Sequence, residues 1–359
     1  MSQQAVNAIV AVGLGSALAV VLLIPTAAVQ YRRDGRLGPG DLVTLLGAAV
    51  YGLALWTYTL LPLPAGTYRC KVAQWHVFGT IGQIGLPERG LQPFLRDPAV
   101  LQVLFNVLLF VPLGYYVRVV LKRGVAVATL VGFAASLAIE LTQYTAVWGI
   151  FGCAYRQLDV DDLLLNTVGA LGGSLLSAVV VRRRSGDPRP LPSELTWGRR
   201  LMGLVCDALF VLLLGGLIAA AWRGATFFVL DTRPFRDEQW RVQWTVPFVL
   251  QAVLVLTQGR TVGELVVSVR ARARHRWLAP LSRAVKLATG LAPVWCLVIL
   301  PIPYRGGVLI GFLGTTVLAA LLTPRHGGLS HAVARMRLEV VTPPGRAVEG
   351  AEDDVRSAV

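Results

Sequence analysis

The sequence predicts an all-α fold: a polytopic transmembrane helical bundle of about nine spans in two modules, five plus four. Three observations predict it. Hydrophobic residues make up 55% of the 359-residue chain and charged residues only 15%, where a soluble domain carries nearer a quarter. The apolar residues fall in runs of the roughly 20 residues that a helix needs to cross the hydrocarbon core. The basic residues gather in short clusters between alternate runs, as the inner loops of a membrane protein do.

The first run is 5–29, without an ionisable residue inside it. It is too long for the core of a signal peptide and lacks a basic start, so it reads as a retained helix. Further spans are expected at 42–61, 99–121, 125–146 and 161–181, and, after an Arg/Pro/Ser-rich stretch, at 201–222, 244–258, 284–302 and 306–323. Gly290 and Pro293 interrupt the eighth, an interruption that membrane helices tolerate. Clusters such as Arg32, Arg33 and Arg36, then Arg182, Arg183 and Arg184, then Arg270, Arg272, Arg274 and Arg276 all fall on one side of a nine-helix arrangement. The positive-inside rule makes that side cytoplasmic, with the N-terminus outside and the C-terminus inside. The expected localisation is the cell membrane, multi-pass. The net charge of +14 sits in these clusters rather than on one continuous face, so no nucleic-acid partner is expected.

The expected organisation is a first module at 1–184, a linker at 185–195, a second module at 196–341 and a disordered acidic tail at 342–359. Ionisable residues inside spans are costly, which makes them the first place to look for function. In the first module, Asn106, Glu140 and Asn166 fall at about one depth near the outer end of spans three, four and five. Glu140, Gln143 and Tyr144 share a helical face by their i, i+3, i+4 spacing, and Asp159, Asp162 and Asn166 form an i, i+3, i+7 series. That series continues as Gly169 and Gly173, a small-xxx-small seam that admits a close neighbouring helix. Arg156 lies in the short loop before span five. Asp161 points away from the series and is expected to cap a helix N-terminus.

Two readings of this set stand side by side. One is a polar site opening outward. The other is a structural network in which Arg156 pairs with Asp159 or Glu140 and the asparagines bridge helices. On the first reading Glu140 and Asp162 are candidate catalytic acid or base groups and Arg156 the holder of an anionic group. Asn106, Gln143, Tyr144, Asp159 and Asn166 are then binding residues. No metal or other cofactor is expected, because the histidines are scattered and no CxxC pair exists. The alternative is a divalent cation held by the oxygen ligands of Glu140, Asp159 and Asp162. Cys70 and Cys153 both fall in outer loops, and the sequence leaves open whether they are bridged.

The string Asn106-Val-Leu-Leu-Phe-Val-Pro-Leu-Gly114, then Glu140-Leu-Thr-Gln143, then Arg156-Gln-Leu-Asp159-Val-Asp-Asp162 and Asn166-Thr-Val-Gly169 resembles the VanZ-like family over about residues 40–180. The resemblance implies a bacterial membrane protein, and its founding member is associated with glycopeptide-antibiotic resistance. In the second module Arg199-Arg200, Asp207, the stretch Gly259–Arg270 and Gly328–Arg335 resemble the RDD family of membrane domains. The chain has Val262 where that family tends to show Pro, and His331 where it tends to show Asp, so the resemblance carries over only Arg200 and Asp207. The structural alternative for Asp207 is a buried ion pair with Arg200 or with a neighbouring helix. The partners expected are membrane lipids and a lipid-linked envelope precursor or a glycopeptide. Three functions remain open: binding or remodelling of an envelope lipid or precursor at the outer leaflet, a membrane-embedded enzyme on a lipid-linked or phosphate-bearing substrate, and a proton-coupled secondary transporter using Glu140 and Asp207.

Overall fold

In the computed structural model the chain is described over residues 3–84, 94–184, 192, 194–229, 236–323 and 326–341. The expected acidic tail lies outside the described residues, as does most of the expected linker. Among the described residues seven helices are long and apolar enough to cross a membrane, and the chain is a polytopic helical membrane protein. It divides into two compact units, residues 1–18 with 46–188 and residues 19–45 with 189–359.

The first unit contains the start of α1 (Gln3–Asp34) and most of α2 (Pro39–Leu60). It continues with α3 (Pro98–Val119), α4 (Val125–Tyr144) and α5 (Val160–Arg184). α3 starts where Asp97 accepts a hydrogen bond from the Ala99 N–H and Pro98 opens the first turn, a position where the missing proline N–H costs nothing. α5 packs against both α3 and α4. A Cβ added to Gly173 would stand 1.9 Å from the Val111 carbonyl oxygen, one on Gly169 2.2 Å from that of Val107, and one on Gly114 1.9 Å from that of Ala170. The small-residue seam expected from the sequence is thus the α3–α5 contact, and it leaves no room for a methyl group.

The second unit contains α6 (Trp197–Gly224), α7 (Arg236–Gln258) and the short α8 (Val262–Val266), followed by strand β1 (Val269–Ala273). Then come α9 (Ala279–Thr289), α10 (Leu291–Ile299), α11 (Arg305–Leu322), the short α12 (Leu329–Val333) and strand β2 (Met336–Val340). The span expected at 284–302 is broken at Gly290, the junction of α9 and α10. Two of the nine expected spans correspond to α5 and α7, which are not among the seven. Both helices open on charged turns, Asp161 and Asp162 in one and Asp237 and Glu238 in the other.

One element departs from an all-α reading. β1 and β2 pair antiparallel, Val269 opposite Val340 and Ala273 opposite Met336. The period of two sends Val269, Ala271, Met336 and Leu338 inward, where they join Ala27, Tyr31, Cys206 and Val267 in the buried core of this unit. The segment 269–273 reads as a basic loop because its inward residues are small and its outward ones are arginines.

Candidate functional site

The first unit builds its polar site where the loop after α2 runs beside the loop before α5. A Cys70–Cys153 disulfide joins the two loops, with 5.5 Å between Cα atoms. Main-chain hydrogen bonds continue the join: Lys71 N–H donates to Ala154 O at 2.8 Å, Gln74 N–H to Leu158 O at 2.8 Å, and Val160 N–H to Gln74 O at 3.3 Å. Tyr68 adds its hydroxyl to Cys153 O at 2.9 Å.

Asp159 and Asp161 fix the far end of this clasp. Asp159 accepts from the Asp161 N–H at 2.9 Å, the geometry of an N-cap on α5, and from the Thr80 hydroxyl at 2.7 Å. Asp161 is fully buried and takes three N–H donors from the loop after α2, those of Phe78 at 2.6 Å, Thr80 at 2.8 Å and Ile81 at 3.4 Å. The cap of α5 is therefore Asp159, and Asp161 instead gathers a loop about eighty residues away. Helical periodicity alone, which turned Asp161 away from the series, carries no information about that loop.

Glu140 is buried on α4 and accepts the Asp159 N–H at 3.1 Å. Asp162 is half-buried and accepts from the side-chain amides of Gln102, at 3.0 Å, and Asn106. Asn166, buried one turn further along α5, donates to Ser136 Oγ at 2.9 Å, while its carbonyl oxygen is buried without a hydrogen-bond partner. Exchanging the amide ends would leave the other end unmatched, so the group has one unused polar atom in either assignment.

The remaining expected residues do other work. α2 ends in carbonyls that no further helical turn can satisfy. Gln143 donates to Thr59 O at 2.6 Å, the Tyr155 hydroxyl to Leu60 O at 3.0 Å and the Arg156 guanidinium to Leu61 O at 2.7 Å. Burial raises the Tyr155 phenol above its ordinary range, with Arg156 pulling the other way. Among the described residues Arg156 forms no ion pair with Asp159, Glu140 or any other carboxylate. Tyr144 is 44% exposed and lies outside the cluster, because it stands in the last turn of α4, just before the left-handed backbone of Ala146, Val147 and Trp148. The structure thus brings together Glu140, Asp159, Asp162, Asn106 and Asn166, adds Gln102, Ser136, Thr80 and Asp161, and gives Gln143 and Arg156 a place at the end of α2. Among the described residues no group of three or more His, Cys, Asp or Glu side chains converges in a way that could hold a metal ion.

In the second unit Arg200 and Asp207 do not pair. Asp207 accepts from Gln251 at 2.9 Å, the Thr261 hydroxyl at 2.7 Å and Gly263 N–H at 2.7 Å. Arg200 instead lies 3.3 Å from Glu264, which also meets Lys286 at 2.5 Å and His331 at 2.9 Å. All four side chains are buried. Burial by itself would raise the Glu264 carboxyl, but Lys286, His331 and Arg200 together outweigh it and hold the carboxyl well below the ordinary range. Burial and the neighbouring Lys286 push His331 down to about 4 against the pull of Glu264. Arg200 and His331 stand out in the sequence by their place in the RDD-like pattern, and Lys286 as a lone cation inside an expected span; that all three meet on Glu264 is not legible there, because they sit far apart in the chain.

Residues 48–181 match the family model described as VanZ/LLP1. That stretch contains every residue of the first-unit site and leaves 182–359 uncovered. No curated protein matches the chain, and no solved structure does.

Proposed function

We propose that the protein binds or remodels the polar part of an envelope lipid or cell-wall precursor at the outer leaflet, with Glu140, Asp162, Asn106 and Asn166 as the contacting groups. The observation that carries this reading is the half-buried Asp162, flanked by Gln102 and Asn106 and backed by the buried Glu140 and by an Asn166 amide with an unused polar atom. Such a set matches a ligand rich in hydroxyl, amide or amine groups. The family match over 48–181 supports it, since the VanZ-like resemblance implies an effect on glycopeptide susceptibility.

The proposed topology has nine spans, with α5 and α7 crossing as well as the seven apolar helices, the N-terminus outside and the site at the outer face. The Cys70–Cys153 bridge supports that orientation, because structural disulfides persist in oxidising compartments. For the second module the proposed relationship remains RDD-like, resting on its sequence.

A second reading is favoured by Asp162 and Glu140 lying against one helix start: an enzyme acting on a lipid-linked or phosphate-bearing substrate, with these carboxylates as acid or base. The test is Glu140→Gln in cells producing the protein at normal level. Surface binding of a fluorescent glycopeptide or labelled lipid-linked precursor should change severalfold, and binding identical to the unsubstituted protein would reject the binding role. Release of product from such a precursor by the purified protein, abolished in Asp162→Asn, would select the second reading.

A further inference from the structure

The β1–β2 ribbon carries an arrangement of charge that the described residues do not neutralise. Its inner face belongs to the core, so its outer face consists of Arg270 and Arg272 on one strand and Arg337 and Glu339 on the other, all exposed. The register sets Arg272 directly opposite Arg337 and Arg270 opposite Glu339. Glu339 turns diagonally and pairs with Arg272 at 3.1 Å. Arg270 and Arg337 therefore form no ion pair among the described residues, and the same holds for Arg274 and Arg276, the exposed continuation of β1. Like charges directly opposed across a pair of strands destabilise it. An exposed ribbon with this composition is favoured when an anion lies over it.

The residues just beyond β1 identify the class of anion. Trp277 is 78% exposed and Leu281 is 61% exposed. With Ala284 and Ala288, also exposed, they stand at i, i+4, i+7 and i+11, one stripe along the start of an apolar segment, 276–299, long enough to cross a bilayer. α9 is inverted relative to a soluble helix, for its buried residues are Ser282 and Lys286. An outward apolar stripe with polar residues inside suits contact with lipid, and a tryptophan at its head suits the interface. The arginines of the ribbon immediately precede that tryptophan, which puts them at headgroup depth.

We propose that the outer face of the ribbon is a binding surface for the phosphate-bearing headgroups of anionic lipids, with Arg270, Arg274 and Arg337 as the unneutralised contacts. Arginine forks match phosphate oxygens in geometry as well as charge, and a basic cluster at a membrane edge attracts anionic lipid over distances that salt shortens.

The experiment uses the full chain in phosphatidylcholine vesicles carrying a trace of spin-labelled phosphatidylglycerol or spin-labelled phosphatidylcholine, and reads the immobilised fraction of each label by electron paramagnetic resonance. The protein should retain the anionic label severalfold over the zwitterionic one, and high salt should reduce the preference. The triple variant Arg270→Gln, Arg274→Gln, Arg337→Gln should bring the ratio close to unity while retention of the zwitterionic label and thermal stability in pure phosphatidylcholine stay unchanged. Glu339→Gln, which removes the one carboxylate and releases Arg272, should raise the ratio. Equal retention of both labels by the unsubstituted protein overturns the proposal, as does a Glu339→Gln ratio that fails to rise. A preference that emerges only when Glu349, Glu352, Asp353 and Asp354 are changed to glutamine also overturns it, since the arginines would then serve the chain's own acidic tail.

Discussion

Glu264 is the residue on which the second unit turns. It faces Lys286, Arg200 and His331 in a buried centre, and removing one partner of a buried ion pair costs about 3–5 kcal/mol because the Lys286 and Arg200 charges stay buried and unmatched. Glu264→Gln should therefore lower thermal stability in detergent by about that much. The centre also dictates a pH dependence. His331 titrates at about 4 in the folded protein against an ordinary 6.5, so between those values the unfolded chain binds a proton that the folded one does not. Its contribution is complete above pH 6.5 and is lost as pH falls towards 4, about 3 kcal/mol at most. Glu264, held below its ordinary range, adds a loss of the same sign at still lower pH. Melting temperature followed by intrinsic fluorescence should fall as pH drops from 7 to 4.5, and His331→Gln should flatten the upper part of that fall.

At the scale of elements, the α3–α5 contact is the least forgiving feature of the first unit. A methyl at Gly173 would meet the Val111 carbonyl oxygen at 1.9 Å, and one at Gly114 would meet that of Ala170 at 1.9 Å. Backbone cannot rotate out of the way as a side chain can, so the helices must separate. Gly173→Ala should destabilise the protein by about 2–3 kcal/mol or more, whereas Gly172→Ala, whose Cβ meets nothing within 4 Å, should fold normally; size-exclusion profiles in detergent distinguish the two. The seam on α5 was legible in the sequence because four-residue spacing is a local pattern, but the helix that fills it, α3, was not. The i, i+3, i+7 series of Asp159, Asp162 and Asn166 was legible for the same reason. Asp161 was not, because its partners Phe78, Thr80 and Ile81 come from another loop. Nor was the role of Gln143 and Arg156, which answers to the exposed carbonyls at the end of α2 rather than to their own neighbours. The β-ribbon escaped because alternating Arg and Ala at 270–273 looks like a basic loop until its partner strand, far along the chain, supplies the other edge.

For the whole molecule, the proposed topology makes a sharp demand on chemistry at the two faces. Intact cells producing the protein should leave Cys70 and Cys153 unreactive to an impermeant maleimide until a reductant is added. A cysteine placed at Arg156 in a Cys206- and Cys296-free background should react from outside, and one at Arg272 should not. Labelling of Arg272→Cys from outside would invert the arrangement and remove the outer-leaflet reading with it.

The core of the second unit has a consequence for synthesis. Ala27 and Tyr31, from the first helix, share one buried cluster with Ala334, Met336 and Leu338 near the last strand. A nascent chain emerging from the ribosome offers Tyr31 early and its neighbours only near the end of translation. Until then the C-terminal end of the first helix is an unfinished surface, and a polypeptide stalled or cut short before Met336 would expose it to quality-control proteases. Completeness of the product is thereby written into the packing of a residue made near the beginning.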